Sequence, residues 1–188
     1  MPDIHAHWLP ADALPAPLDP VLHAWLYEDR GSLTQRLTEL ADGAFGVQPL
    51  DEGWQVLRDD ECQALGIPAG SAGWVREVYL YGGERPWVYA RSVAGREALV
   101  ASGFDIQHLG SRSLGELLFS DRAFARGTFE TCRYPAAWLP PAVRQEGLWA
   151  RRSCFSRDSL GVLVAEVFLP AFWARAQGTA CPPGQRPV

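Results

Sequence analysis

Two apolar segments, 74–81 and 86–93, are separated only by Gly82-Gly83-Glu84-Arg85. A parallel crossover needs a dozen or more residues, so the pair must double back as an antiparallel hairpin. The same constraint recurs at 148–157 and 161–169, which turn at Arg157-Asp158-Ser159-Leu160-Gly161. Further strand-like segments lie at 44–50 and 53–58, joined around Asp51-Glu52-Gly53, and at 124–133. With connections this short, the expected fold class is α+β, a largely antiparallel sheet with helices packed on it.

The helices announce themselves by their caps. Asp19-Pro20 supplies an N-cap and a first-turn proline for a helix over 20–30, with Leu22, Trp25 and Leu26 at helical spacing and a stop at Gly31. Ser32 and Gln35 form the pattern of a capping box for a second helix ending near Gly43, whose apolar stripe is Leu33, Leu37 and Leu40. The stretch 59–72 reads as a short helix and loop, and 95–102 and 112–119 as short helices. Residues 1–18, rich in Pro and Ala, are expected to form an irregular arm, 19–173 a single domain, and 174–188 a disordered tail.

Composition narrows the function classes. The chain has 188 residues, 47% hydrophobic and 21% charged, the balance of a soluble globular protein. No apolar run approaches the roughly 20 residues of a membrane helix, and no secretory signal opens the chain, so a cytoplasmic protein with no membrane insertion is expected; a monomer is expected as well. Cys62, Cys132, Cys154 and Cys181 are widely spaced, as free thiols would be. The net charge of −5 and scattered basic residues argue against nucleic acid. All 17 basic residues are arginine, which excludes a Schiff-base lysine.

The familiar motifs are missing: no GxGxxG, no GxxxxGK[ST], no GxSxG. Asp3-Ile4-His5-Ala6-His7 has the His-x-His of barrel metallohydrolases, but no strand precedes it and the chain is short of a barrel's roughly 250 residues. No metal site is expected.

What remains is one carboxylate in an apolar strand. In Leu163-Val164-Ala165-Glu166-Val167-Phe168, Glu166 shares a face with Val162, Val164 and Phe168. Such a group is costly unless it is paired or has a chemical task. Arg76, in Trp74-Val75-Arg76-Glu77-Val78, offers a complementary charge, and Arg91 in the partner strand could point the same way. Of Arg151 and Arg152, adjacent in a strand, at most one can share the face of Glu166. Together these residues suggest a small enclosed site for an anion that also carries a hydroxyl.

In order along the chain, the motifs resemble the chorismate pyruvate-lyase (chorismate lyase) family. They are Trp25-Leu26 with Glu28-Asp29, Leu33-Thr34 with Arg36, Trp74-Val75-Arg76-Glu77-Val78, Pro86-Trp87, and Ala90-Arg91-Ser92-Val93. Leu114-Gly115 with Leu118-Phe119, Leu148-Trp149-Ala150-Arg151-Arg152-Ser153 and Glu166-Val167-Phe168-Leu169-Pro170 complete the set, over residues 19–171. The resemblance implies a six-stranded antiparallel sheet, a buried pocket, no cofactor, and conversion of the small molecule chorismate to 4-hydroxybenzoate and pyruvate for ubiquinone. It implies that Arg76 holds the ring carboxylate, Glu166 meets the hydroxyl, and Leu33 and Leu114 cover the ligand, with inhibition by the product. Arg91 is the candidate for the enolpyruvyl carboxylate. The rival is a non-catalytic, ligand-binding domain like the effector domains of some bacterial regulators. Such a regulator needs a helix-turn-helix domain, for which the segment before residue 19 is too short.

Overall fold

A computed structural model describes residues 4–10, 13, 18–28 and 31–179. Its elements in chain order are β1 (Leu9–Pro10), α1 (Pro20–Leu26), α2 (Leu33–Leu40), β2 (Phe45–Val56), α3 (Asp59–Leu65), β3 (Ala72–Gly82) and β4 (Arg85–Gly95). There follow α4 (Arg96–Ser102), α5 (Leu114–Ser120), β5 (Ala125–Arg126), β6 (Glu130–Arg133), β7 (Trp149–Arg157), β8 (Leu160–Phe168) and α6 (Pro170–Thr179). The strands form one antiparallel sheet in the order β1-β6-β7-β8-β4-β3-β2, with β5 pairing β7. Six longer strands carry it; β1 and β5 are two-residue additions.

Several local expectations change. The segments at 44–50 and 53–58 are one strand, β2, with a bulge at Leu50 between Pro49 and Asp51. Proline and glycine there read as a break, but β2 is an edge strand, where a missing N–H and a bulge are tolerated. The stretch 124–133 is divided into β5 and β6. Asp19 does cap α1, its Oδ1 accepting from the Val21 and Leu22 amides at 2.9 and 3.1 Å. Helix α1 ends sooner than 30, at Leu26, and Asp29 lies outside the described residues. The capping box at Ser32 does not form: the serine caps nothing, and Gln35 donates to Glu39 instead. The expected tail begins as helix α6, because Phe172 and Ala176, one turn apart, bury against the sheet; residues 180–188 lie outside the described residues. Within the expected irregular arm, Leu9 and Pro10 pair with Thr131 and Glu130.

Helices α1, α2 and α6 cover one end of a sheet face, over Val78, Leu80, Ala90 and Phe168. Helices α4 and α5 cover the other end of that face, over Ala94, Phe155, Val162 and Val164. The opposite face takes α3 and the segment after β6, around Tyr79, Tyr89, Tyr134 and Val167. No helix among the described residues is long and apolar enough to cross a membrane.

Candidate active site

Between the two helical clusters on the first face lies a cavity of about 40 Å³, lined by Arg76, Ser92, Leu33, Leu114, Arg126 and Glu166 among others. Its position follows from strand register. Glu52, Arg76, Ser92, Val164 and Ser153 stand opposite one another across β2, β3, β4, β8 and β7. Two residues along, Val78, Ala90, Glu166 and Arg151 form the next row. Directly paired residues point to one face, so Arg76 and Glu166 face the same space from strands two apart, about 10 Å in the hydrogen-bonding direction.

Both charges are held from behind. Arg76 is only 2% exposed. Its Nη2 donates to the carbonyls of Gly110 and Arg112 at 2.7 and 3.1 Å, and its Nη1 pairs with Glu52. Burial pushes this guanidinium below its ordinary pKa. Glu166 is 8% exposed, and its Oε2 accepts from Arg151 Nε at 2.6 Å. Arg151 is 1% exposed, donates through Nη1 to the Trp25 carbonyl at 2.8 Å, and lies 4.5 Å from the ring of Phe129. The immediate counter-charge of Glu166 is therefore Arg151, not Arg76, and Arg151 is the member of the arginine pair on the cavity face. Arg152 points away, to Glu130 and Asp60.

Leu33 and Leu114 open α2 and α5, are 4% and 6% exposed, and line the cavity. Thr34 Oγ1 and Ser113 Oγ lie 2.5 Å apart and join the two helices over it.

Arg91 is on the other face. It stands opposite Glu77 and Ala165, donates to Glu61 Oε1 at 2.6 Å and to Glu77 Oε1 at 2.7 Å, and has no access to the cavity lining. Burial alone would lower its pKa, but the bonds to Glu61 and Glu77 outweigh that and raise it. The expectation that Arg91 serves this site is thus corrected, and the cause is a bulge. At the turn, Gly82 pairs with Arg85 and Tyr81 with Pro86; beyond it, Leu80 pairs with Val88, leaving Trp87 extra. An unbulged hairpin would have set Arg76 opposite Arg91; one added residue turns Arg91 over. The ring of Trp87 folds onto Gly82, where a Cβ would come within 2.1 Å of it, so only glycine fits.

Sequence reasoning did not mark Glu52, Arg126 or the α2–α5 hydroxyl pair. His5 and His7 stay in the arm, Asp3 lies outside the described residues, and no group of three or more His, Cys, Asp or Glu able to hold a metal occurs among the described residues.

Comparison with known proteins adds independent findings. The profile of the family described as Chorismate lyase matches residues 3–178. A Pseudomonas aeruginosa (strain UCBPP-PA14) protein named probable chorismate pyruvate-lyase is 67% identical over 172 residues, covering 92% of this chain and 96% of that one. A Pseudomonas syringae pv. tomato (strain DC3000) protein of the same name is 60% identical over 166 residues, covering 88% and 89%. Among solved structures, the effector domain of PhnF from Mycobacterium smegmatis is similar in fold, with a TM-score of 0.50, 15% identity, and 75% and 90% coverage. So is a possible transcriptional regulator, YydK from Bacillus subtilis, with a TM-score of 0.50, 9% identity, and coverage of 69% of this chain and 60% of that one.

Proposed function

This chain belongs to the chorismate lyase family, and from that premise we propose that its cavity converts chorismate to 4-hydroxybenzoate and pyruvate, supplying ubiquinone synthesis in the cytoplasm as a monomer. The protein is a lyase. The observation that carries the assignment of the site is the convergence of Arg76 and Glu166 on one enclosed space.

Chorismate carries a carboxylate at one end of its ring and a hydroxyl at C4 near the other. Arg76, its guanidinium locked by two carbonyls and Glu52, binds the ring carboxylate by charge-assisted bonds. Glu166 spends Oε2 on Arg151, so Oε1 is the oxygen that accepts from the C4 hydroxyl. In the reaction the C3–O ether bond breaks and its electron pair leaves with the enolpyruvyl group. The C4–H pair becomes a ring double bond, and the methylene carbon of the fragment gains a proton to give pyruvate. Aromatisation supplies the driving force, so the protein has chiefly to orient and polarise. The direct test is to incubate the purified chain with chorismate. Equimolar 4-hydroxybenzoate and pyruvate are expected; binding of 4-hydroxybenzoate without any turnover would favour a non-catalytic ligand-binding domain.

This chemistry asks for no Lewis acid. Dialysis against EDTA is expected to leave the rate unchanged, as is the double variant His5→Ala, His7→Ala. A loss restored by a divalent ion would contradict the cofactor-free reading.

Product release is expected to limit turnover. At about 40 Å³ the cavity is far smaller than the roughly 150 Å³ void that accepts benzene, so an aromatic acid enters and leaves only as α2 and α5 part. Such openings often set kcat. 4-Hydroxybenzoate should therefore inhibit competitively, and Leu33→Ala should raise its inhibition constant roughly 3- to 10-fold, part of the value of one buried leucine. Equal constants for wild type and variant would remove Leu33 from the site.

A further inference from the structure

The line from Arg76 to Glu166 crosses β4, the strand between β3 and β8. Arg76 stands opposite Ser92 on that strand, and Glu166 stands opposite Ala90. The two β4 residues are two positions apart, about 7 Å along the strand, and share a face. Both are buried, Ser92 at 6% exposed and Ala90 at 7%, and both line the cavity. Ser92 lies in the row of Arg76 and Ala90 in the row of Glu166, so they flank the connecting line on opposite sides. The hydroxyls lining the cavity belong to Thr34, Ser92 and Ser113. Thr34 and Ser113 bond to each other, whereas the Ser92 hydroxyl has no hydrogen-bonding partner among the described residues.

We infer that Ser92 donates a hydrogen bond to the ether oxygen at C3 of chorismate, the atom that leaves with the enolpyruvyl group. The inference rests on the reading of this cavity as the chorismate site. With the C1 carboxylate on Arg76 and the C4 hydroxyl on Glu166, one long edge of the ring lies along Ser92 and the other along Ala90. The two edges differ: C5 and C6 carry only hydrogen, while C3 on the other side carries the ether oxygen. The hydrocarbon edge matches the methyl group of Ala90. The ether oxygen offers the buried Ser92 hydroxyl the acceptor it otherwise lacks, and a buried hydroxyl without a partner is costly. When the C3–O bond breaks, its electron pair passes to that oxygen, which ends as the keto oxygen of pyruvate. The proton from C4 ends on the methylene carbon, and Ser92 keeps its own. Negative charge builds on the oxygen during this step, so the bond from Ser92 strengthens in the transition state and lowers the barrier.

4-Hydroxybenzoate has no oxygen at this position, so product affinity separates contact with the ether from mere shaping of the cavity floor. Because product release is expected to limit turnover, the bond-breaking step is read in a single turnover, with enzyme in excess over chorismate. Ser92→Ala is expected to slow that turnover about 10- to 100-fold, the range of a hydrogen bond to a group becoming charged, with the dissociation constant of 4-hydroxybenzoate within about twofold of wild type. Ser92→Thr keeps the hydroxyl and suits a strand, and is expected to retain most of the rate. An unchanged single-turnover rate in Ser92→Ala would overturn the inference. A loss of product affinity as large as the loss of rate would overturn it too, because Ser92 would then only shape the floor. The same holds for a Ser92→Thr variant that binds product normally and is as slow as Ser92→Ala. A wild-type protein that binds 4-hydroxybenzoate yet leaves chorismate unconsumed would instead overturn the underlying lyase reading.

Discussion

Replacing Glu166 with glutamine is expected to lower kcat by about 10- to 100-fold, the scale of one charge-assisted hydrogen bond to the C4 hydroxyl, while the protein remains folded. The structure sharpens both halves of that expectation. Glu166 is tied to Arg151 at 2.6 Å, and cutting a buried ion pair outright costs about 3–5 kcal/mol. Glutamine keeps an amide oxygen that can still accept from Arg151 Nε, and Arg151 keeps its bond to the Trp25 carbonyl, so the stability loss should fall well below that. Thermal unfolding and steady-state kinetics of Glu166→Gln together read the two effects. A variant that unfolds at room temperature, or one with wild-type kcat, would make Glu166 a structural partner of Arg151 and nothing more.

Arg76→Ala is expected to lose at least about 100-fold in kcat/KM, the upper end of one charge-assisted bond plus the disorder it releases. Arg76 gathers the carbonyls of Gly110 and Arg112, which lead into α5, and neutralises Glu52. Its removal therefore also leaves a carboxylate uncompensated. The double variant Arg76→Ala, Glu52→Gln tells the contributions apart: it should regain much of the melting temperature but little activity. Restored activity in the double variant would show that Arg76 acts only by holding the wall together. Arg76→Lys should recover little, because an ammonium cannot span the same carbonyls and a ligand carboxylate at once.

The parts of this site legible in the sequence are those set by short-range pattern. The apolar strand around Glu166 stands out by itself. Its partner was within reach as well: with Arg157 pairing Leu160 across a two-residue turn, counting back places Arg151 opposite Glu166. The face of Arg91 was not legible, because it depends on whether the hairpin holds one extra residue near its turn. The bulge at Trp87 leaves only a weak mark in the sequence, a glycine at 82 whose missing side chain makes room for the indole. The bulge at Leu50 likewise puts Glu52, not Asp51, opposite Arg76. Arg126 escaped notice because it lies in a two-residue strand whose pairing depends on long-range register. Helix α6 was hidden by Pro170 and Gly178, which read as chain ends, although Phe172 and Ala176 bury at helical spacing.

The most direct test of the account is a crystal structure with 4-hydroxybenzoate bound. The product should lie in the cavity between α2 and α5, its carboxylate within hydrogen-bonding distance of the Arg76 guanidinium and its hydroxyl on Glu166, with Leu33 and Leu114 against the ring. A ligand bound instead on the opposite face of the sheet, beside Arg91, Glu61 and Glu77, or one reversed so that its carboxylate meets Arg151, would contradict it.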